Sequence, residues 1–219
     1  YILSKLKRLG RIVKQGLDTY DVALSCNEIA SFMEILNNWY IRRTRDRFWS
    51  GDQQAFDVLY TVLVNLSKIM APLMPFLCEY VYKNLTGGES VHLTDYPQLE
   101  NIKLDETLVD EMDFLQDLCS AGKFIREEKN LRNRLPLAGL TVVGDNLGFL
   151  NGQYQDIIKD ELNVKEVKID NNLAAYAAKT VYLYTPLLGK ALGKDMGPVM
   201  AAYKQGLSLI HISEPTRPY

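Results

Sequence analysis

Four arginines stand among aromatic residues in the run Asn38-Trp39-Tyr40-Ile41-Arg42-Arg43-Thr44-Arg45-Asp46-Arg47-Phe48-Trp49. Cationic side chains suit phosphate oxygens and aromatic rings suit stacking on unpaired bases, so this composition points to RNA contact. If a helix continues through the run, it divides the arginines: Arg43 and Arg47 extend the inward stripe, whereas Arg42 and Arg45 project nearer the opposite side. The same residues also fit a structural role, with Trp39 and Tyr40 packing a core and Arg43 and Arg47 paired to carboxylates. A second cluster, Lys123, Arg126, Lys129, Arg132 and Arg134, recurs largely every third residue and spirals round its helix, so only part of it can face one ligand. It reads equally as a cation-rich helix C-terminus that complements the macrodipole, with Glu127 and Glu128 balancing the charge. Lys7, Arg11 and Lys14 share one helical face, which a solvated surface explains.

Other chemistries find little support. There is no G-x-G-x-x-G after a strand and no Walker-type loop, so neither route to ATP is expected. His92 and His211 have no nucleophile or metal-ligand companions in the sequence. The carboxylate pairs Asp110/Glu111 and Glu127/Glu128 are neighbours on helices and diverge by ~100° per residue, unlike a convergent acid/base pair. No catalytic residue and no metal site are expected. Cys26, Cys78 and Cys119 are odd in number, far apart and never C-x-x-C, which predicts buried thiols in a reducing cytoplasm. The net charge of -2 gives no global pull on polyanions, so nucleic-acid contact must come from local clusters. No apolar run approaches the ~20 residues that span a bilayer. Neither a membrane nor DNA is an expected partner.

The elements that must position these residues follow from periodicity. Val22, Cys26, Ile29, Met33, Leu36 and Tyr40 alternate four and three apart, which predicts one long helix with this stripe inward. Ser50-Gly51-Asp52 breaks it, and Phe56 to Met70 forms a second, antiparallel helix. Pro75 opens a short helix that Gly87-Gly88 ends. After an extended connector, Ser90 to Pro97, a fourth helix carries the second basic cluster and Pro136 stops it. The expectation is a mainly α fold, an antiparallel helix bundle over residues 1–136. Beyond it, Leu140–Val143, Val164–Ile169 and Thr180–Tyr184 read as strands and Gln153–Leu162 as a helix, a small α/β appendage over 137–206. Residues 207–219 (LSLIHISEPTRPY) have no consistent period and are expected to be a non-native tail. The chain begins without methionine inside a helical pattern and is expected to be part of a longer protein.

Four ordered stretches carry a family resemblance. N-W-Y-I-R-R-x-R-x-R-F-W resembles a signature of isoleucyl-tRNA synthetases. Met70 to Glu79 resembles the A-P-F-M-P-F-L-x-E segment of the class I ligases for valine, leucine and isoleucine. Glu89-Ser90-Val91-His92-Leu93-Thr94-Asp95-Tyr96-Pro97 is similar to a segment more typical of the isoleucine enzymes, and Arg126 to Leu137 resembles R-x-x-x-x-[LI]-x-x-R-x-P-L at the end of their helical domain. Glu161-Leu162-Asn163-Val164-Lys165 matches a further recurrent string, and the likeness fades toward Gly206.

This resemblance implies a helical anticodon-binding domain with tRNA(Ile) as partner. It also implies an upstream catalytic domain carrying H-I-G-H and K-M-S-K-S, where the parent enzyme uses ATP and magnesium to join isoleucine to its tRNA. Neither motif occurs in this chain, nor does the cysteine-rich zinc segment that ends many bacterial relatives, so no cofactor and no ligase activity are expected of it alone. The candidate tRNA contacts are Trp39, Arg42, Arg45, Lys123, Arg126, Lys129 and Arg132, with Arg42 and Arg45 the most exposed. Two alternatives remain: a valyl or leucyl enzyme, or a module that packs against its neighbours and has no RNA affinity of its own.

Overall fold

The computed structural model describes residues 1–176 and 196–204. Their backbone forms α1 (Ile2–Asp18), α2 (Val22–Ile35), α3 (Arg45–Trp49), α4 (Gln53–Met70), α5 (Pro75–Thr86), α6 (Glu106–Glu128), β1 (Leu137–Val143), α7 (Gln153–Leu162), β2 (Val164–Asp170) and α8 (Met196–Lys204). The chain divides into two compact units, Tyr1–Leu140 with Asn146–Lys168, and Thr141–Asp145 with Ile169–Tyr219. Among the described residues no helix is long and apolar enough to cross a membrane.

The first unit holds the core and α1 to α7. Ile2, Leu6, Leu9 and Val13 recur four, three and four apart on α1 and are all buried, the spacing of one helical stripe. α2 turns back on α1 through a short connection whose Asp21 carboxylate accepts the Leu24 N–H and caps the new helix. Contact is close at Gly16, where a Cβ would lie 2.4 Å from Ser25 Oγ and 3.1 Å from the Asp21 carbonyl, so any larger residue would force a shift at this crossing. Local chemistry sets the other helix ends. Asp52 accepts from Gln54 and Ala55 N–H to start α4, Pro75 begins α5, and Gly87 closes it in the left-handed region at φ 66°.

The expected single helix from Val22 onward is widened. After Ile35 the backbone takes a π-helical turn over Leu36–Ile41, and α3 follows the break at Thr44. The inward row also differs from the expected stripe. Ser25, Ile29, Phe32 and Leu36 are buried, whereas Val22 and Cys26 are exposed, because α2 turns a neighbouring row toward α1. Cys26 is therefore not a buried thiol, although Cys78 and Cys119 are.

Residues 129–134 are not helical as expected. α6 stops at Glu128, well before Pro136, because Asn130 adopts a left-handed φ of 54°. The strands β1 and β2 pair in parallel, with Leu137 N–H donating to the Asn163 carbonyl at 3.0 Å and Gly144 N–H to Asp170 at 3.1 Å. α7 lies between them in sequence, so the appendage has the expected β-α-β order. The second unit contains the C-terminal ends of both strands, a tight turn at Leu173–Ala175, and α8. The expected strand at Thr180–Tyr184 and the tail at 207–219 lie outside the described residues.

Candidate nucleic-acid interface

The π-helical turn after α2, the start of α3, the middle of α6 and the end of α7 enclose a groove of about 670 Å³ in the first unit. Its lining includes Asn37, Asn38, Trp39, Arg42, Arg45, Gln116, Lys123 and Glu161. Four of the candidate residues named from the sequence, Trp39, Arg42, Arg45 and Lys123, therefore meet at one place although 84 positions separate the first from the last. A π-helical turn carries an extra residue, a local widening that helices often use at functional positions.

A carboxylate that the sequence reading passed over organises the cations. The Glu161 side chain is 1% exposed. Arg42 Nη2 and Lys123 Nζ both donate to its Oε1, and Arg43 Nη1 reaches its Oε2 at 3.4 Å. Burial disfavours the charged form of Glu161, but the hydrogen bonds from Arg42 and Lys123 outweigh it and hold the carboxyl below its usual range. Arg42 has a second restraint, its Nε donating to the Asn38 carbonyl at 2.8 Å. Arg43 also lies over the Trp39 ring at 5.5 Å and pairs loosely with Asp160 at 3.9 Å. Arg45 is exposed and makes no hydrogen bond or ion pair among the described residues.

This arrangement suits binding. Three cations converge on Glu161 and Arg45 stands clear, so positive charge remains for a phosphate, while Trp39 and the carboxamides of Asn37, Asn38 and Gln116 provide a stacking face and hydrogen-bonding groups. The nucleophile in the lining is quiet. Burial, with help from Glu161, pushes the Cys119 thiol up to about 11, so it stays protonated at neutral pH. Arg47 takes no part, its Nε donating to Asp52 at 2.8 Å.

The second basic cluster does not assemble as a ligand surface. Arg126, one of the candidate tRNA contacts, is only 3% exposed. Its guanidinium donates to the carbonyls of Leu162 at 3.1 Å, and of Arg132 and Leu135 at 2.5 Å each, closing the irregular chain after α6 against the end of α7. That role excludes it from contact with RNA. Lys129 and Arg132 are exposed but lie beyond the helix end, away from the groove lining. The expected spiral of cations along one helix is absent for the same reason. The adjacent carboxylates diverge as expected. Asp110 pairs with Arg8 of α1 at 2.8 Å, and Glu111 accepts from Tyr154 of α7 at 2.8 Å. Lys7, Arg11 and Lys14 are engaged with the Ile102 carbonyl, Glu106 and Asp18, which fits a surface role.

The only sequence signal for Glu161 was its place in the E-L-N-V-K string. A lone glutamate near a helix C-terminus gives no local cue that distant cations will cover it. The tie from Arg126 was equally silent, because backbone carbonyls carry no side-chain signature.

Residues 1–142 match the family model described as the anticodon-binding domain of tRNA ligase. The chain is 43% identical over 209 residues to an isoleucine–tRNA ligase of Corynebacterium efficiens, covering 94% of the chain and 20% of that protein. Identity is 40% over 206 residues with its counterpart in Nocardia farcinica, again 94% and 20%. It is 39% over 211 residues with that of Mycobacterium tuberculosis H37Rv, at 96% and 20%. The chain thus spans about a fifth of the length of the curated relatives it matches. The matched span contains α1 to α6 and every groove cation, and with it the chain belongs to the family of anticodon-binding domains of tRNA ligases.

Proposed function

We propose that this chain holds the anticodon stem-loop of tRNA(Ile) for an isoleucine–tRNA ligase, with phosphates against Arg42, Arg45 and Lys123 and a base against Trp39. The observation that carries the reading is the meeting of these four side chains in one groove of an anticodon-binding domain. The parent enzyme then charges the tRNA with isoleucine, and its catalytic domain supplies the ATP and magnesium chemistry in the cytoplasm. Isoleucine is favoured over valine or leucine by Glu89–Pro97 and by the names of the relatives. A packing role has one observation in its favour, away from the groove. On α5, Phe76 is 91% exposed and Leu77 and Tyr80 stand beside it, an apolar face suited to the rest of a ligase.

A gel-shift or filter titration of tRNA(Ile) against the chain at two salt concentrations tests the reading. Binding that weakens as salt rises is expected, with little affinity for a tRNA of unrelated anticodon. Absence of binding at low salt overturns it and leaves the packing role.

A further inference from the structure

Glu161 presents a contradiction for a site that holds RNA. It is an anion beneath the cations that should meet phosphate, and a carboxylate near a phosphate repels it. It is also where three long side chains, from two separate parts of the chain, are tied down together. These two properties have opposite consequences for affinity. The Glu161 side chain is 1% exposed, with Arg42, Arg43 and Lys123 all paired to it, so their charges more than offset its own at the groove wall. Yet 44% of the Arg42 side chain and 41% of Lys123 remain in solvent. Arg42 is fixed at two points, Nε on Asn38 and Nη2 on Glu161, while its Nη1 has no hydrogen bond among the described residues and is available to an incoming oxygen.

From this arrangement we infer that Glu161 is a positioning residue for tRNA, holding Arg42 and Lys123 in their phosphate-accepting geometry before RNA arrives. A free arginine or lysine loses rotamer freedom when it binds, and one already restrained loses less. The residue lies outside the span matched to the anticodon-binding family, so the end of α7 completes a groove whose cations all belong to that span. The inference rests on the tRNA-holding reading above.

The test is the affinity of the whole chain for tRNA(Ile), at two salt concentrations, for Glu161→Gln and Glu161→Asp, with thermal midpoints measured alongside. Positioning predicts that Glu161→Gln weakens binding roughly tenfold, since two long side chains are released. The salt slope should stay unchanged because the same cations still neutralise phosphate. Tighter binding with a steeper slope, the result of removing a merely repulsive charge, overturns the inference, and so does wild-type affinity. Glu161→Asp keeps the charge and shortens the reach, so it too should weaken binding. If Glu161→Gln does not fold, the aspartate variant decides alone.

A purely structural role is separated by a double-mutant cycle. Arg42→Ala should cost clearly less affinity in the Glu161→Gln background than alone, and equal cost in both overturns positioning. Failure of the underlying reading looks different. If the unmodified chain does not bind tRNA, or if Arg42→Ala and Lys123→Ala leave binding intact, the tRNA-holding reading falls and takes this inference with it. If those variants weaken binding while both Glu161 variants bind like wild type, only the inference falls.

Discussion

In the groove, Arg42, Arg43 and Lys123 meet a carboxylate and keep part of their surface in water, whereas at the end of α6 Arg126 meets three backbone carbonyls and loses nearly all of its exposure. Both regions began as runs of basic residues. The difference lies in what accepts their protons. Carbonyls of an irregular segment need a buried donor, and a guanidinium satisfies several at once, so Arg126 becomes part of the scaffold. A single carboxylate shared by three cations leaves donors over, so the groove keeps its capacity for an external anion. Charge density along the sequence therefore says little about function until the acceptors are known.

The largest effect that could break this contrast is on stability. Arg126→Ala leaves three carbonyls without their donor and should destabilise the chain by about 3 kcal/mol or more, read by denaturant titration. If Arg126→Ala instead left stability intact and weakened tRNA binding, the two regions would have exchanged roles. Next in size, Arg42→Ala or Arg45→Ala should weaken tRNA binding roughly tenfold and flatten its salt slope by about 1 unit of log affinity per log salt. Arg45→Ala should do so with an unchanged melting temperature, since the side chain has no protein partner among the described residues.

Acid should separate the regions further. The folded-state pKa of Glu161 is lowered, so its contribution is complete above an ordinary glutamate's value of about 4.3 and is lost as pH falls through the depressed folded value. Fluorescence of Trp39, followed in a Trp49→Phe variant, should hold steady from neutral pH to about 5 and change only in stronger acid. A transition near neutral pH would contradict the cation-paired carboxylate. The tie from Arg126 uses carbonyls alone and has no such dependence. The smallest effect is expected from Lys129→Ala with Arg132→Ala. Both residues lie outside the groove lining, and the pair should change tRNA affinity less than twofold, within the range of screened surface charges.

Much of the fold was legible because its punctuation is local. Asp52, Pro75 and Gly87 each act on a neighbouring helix end, and each does what its chemistry dictates. The strand, helix, strand order around α7 was legible from the change of residue pattern after Pro136, whereas the parallel pairing of the two strands was not. Periodicity could not show that Ser25 rather than Cys26 faces α1, because that choice depends on the close approach at Gly16. In the groove, Arg42 and Arg45 line the wall, but Arg47, expected on the inward stripe, is exposed and tied to Asp52 after the break at Thr44, and Arg43 touches Trp39 and Glu161 at the margin of the site. What stayed hidden was the burial of Arg126, which rests on backbone carbonyls 6, 9 and 36 positions away that carry no side-chain signature, and the gathering of cations on Glu161, up to 119 positions from its partners.

The π-helical turn at Leu36–Ile41 makes the aim of the groove a matter of phase. One residue in a regular helix corresponds to ~100° of rotation. Because the wide turn absorbs an extra residue, deleting one from it so that regular winding resumes would leave Arg42 and Arg45 near their present bearing, whereas deleting one from the regular helix beside it would swing them by ~100°. The turn thus acts as a buffer of length, absorbing a one-residue change that a regular helix would pass on to the groove as a change of direction.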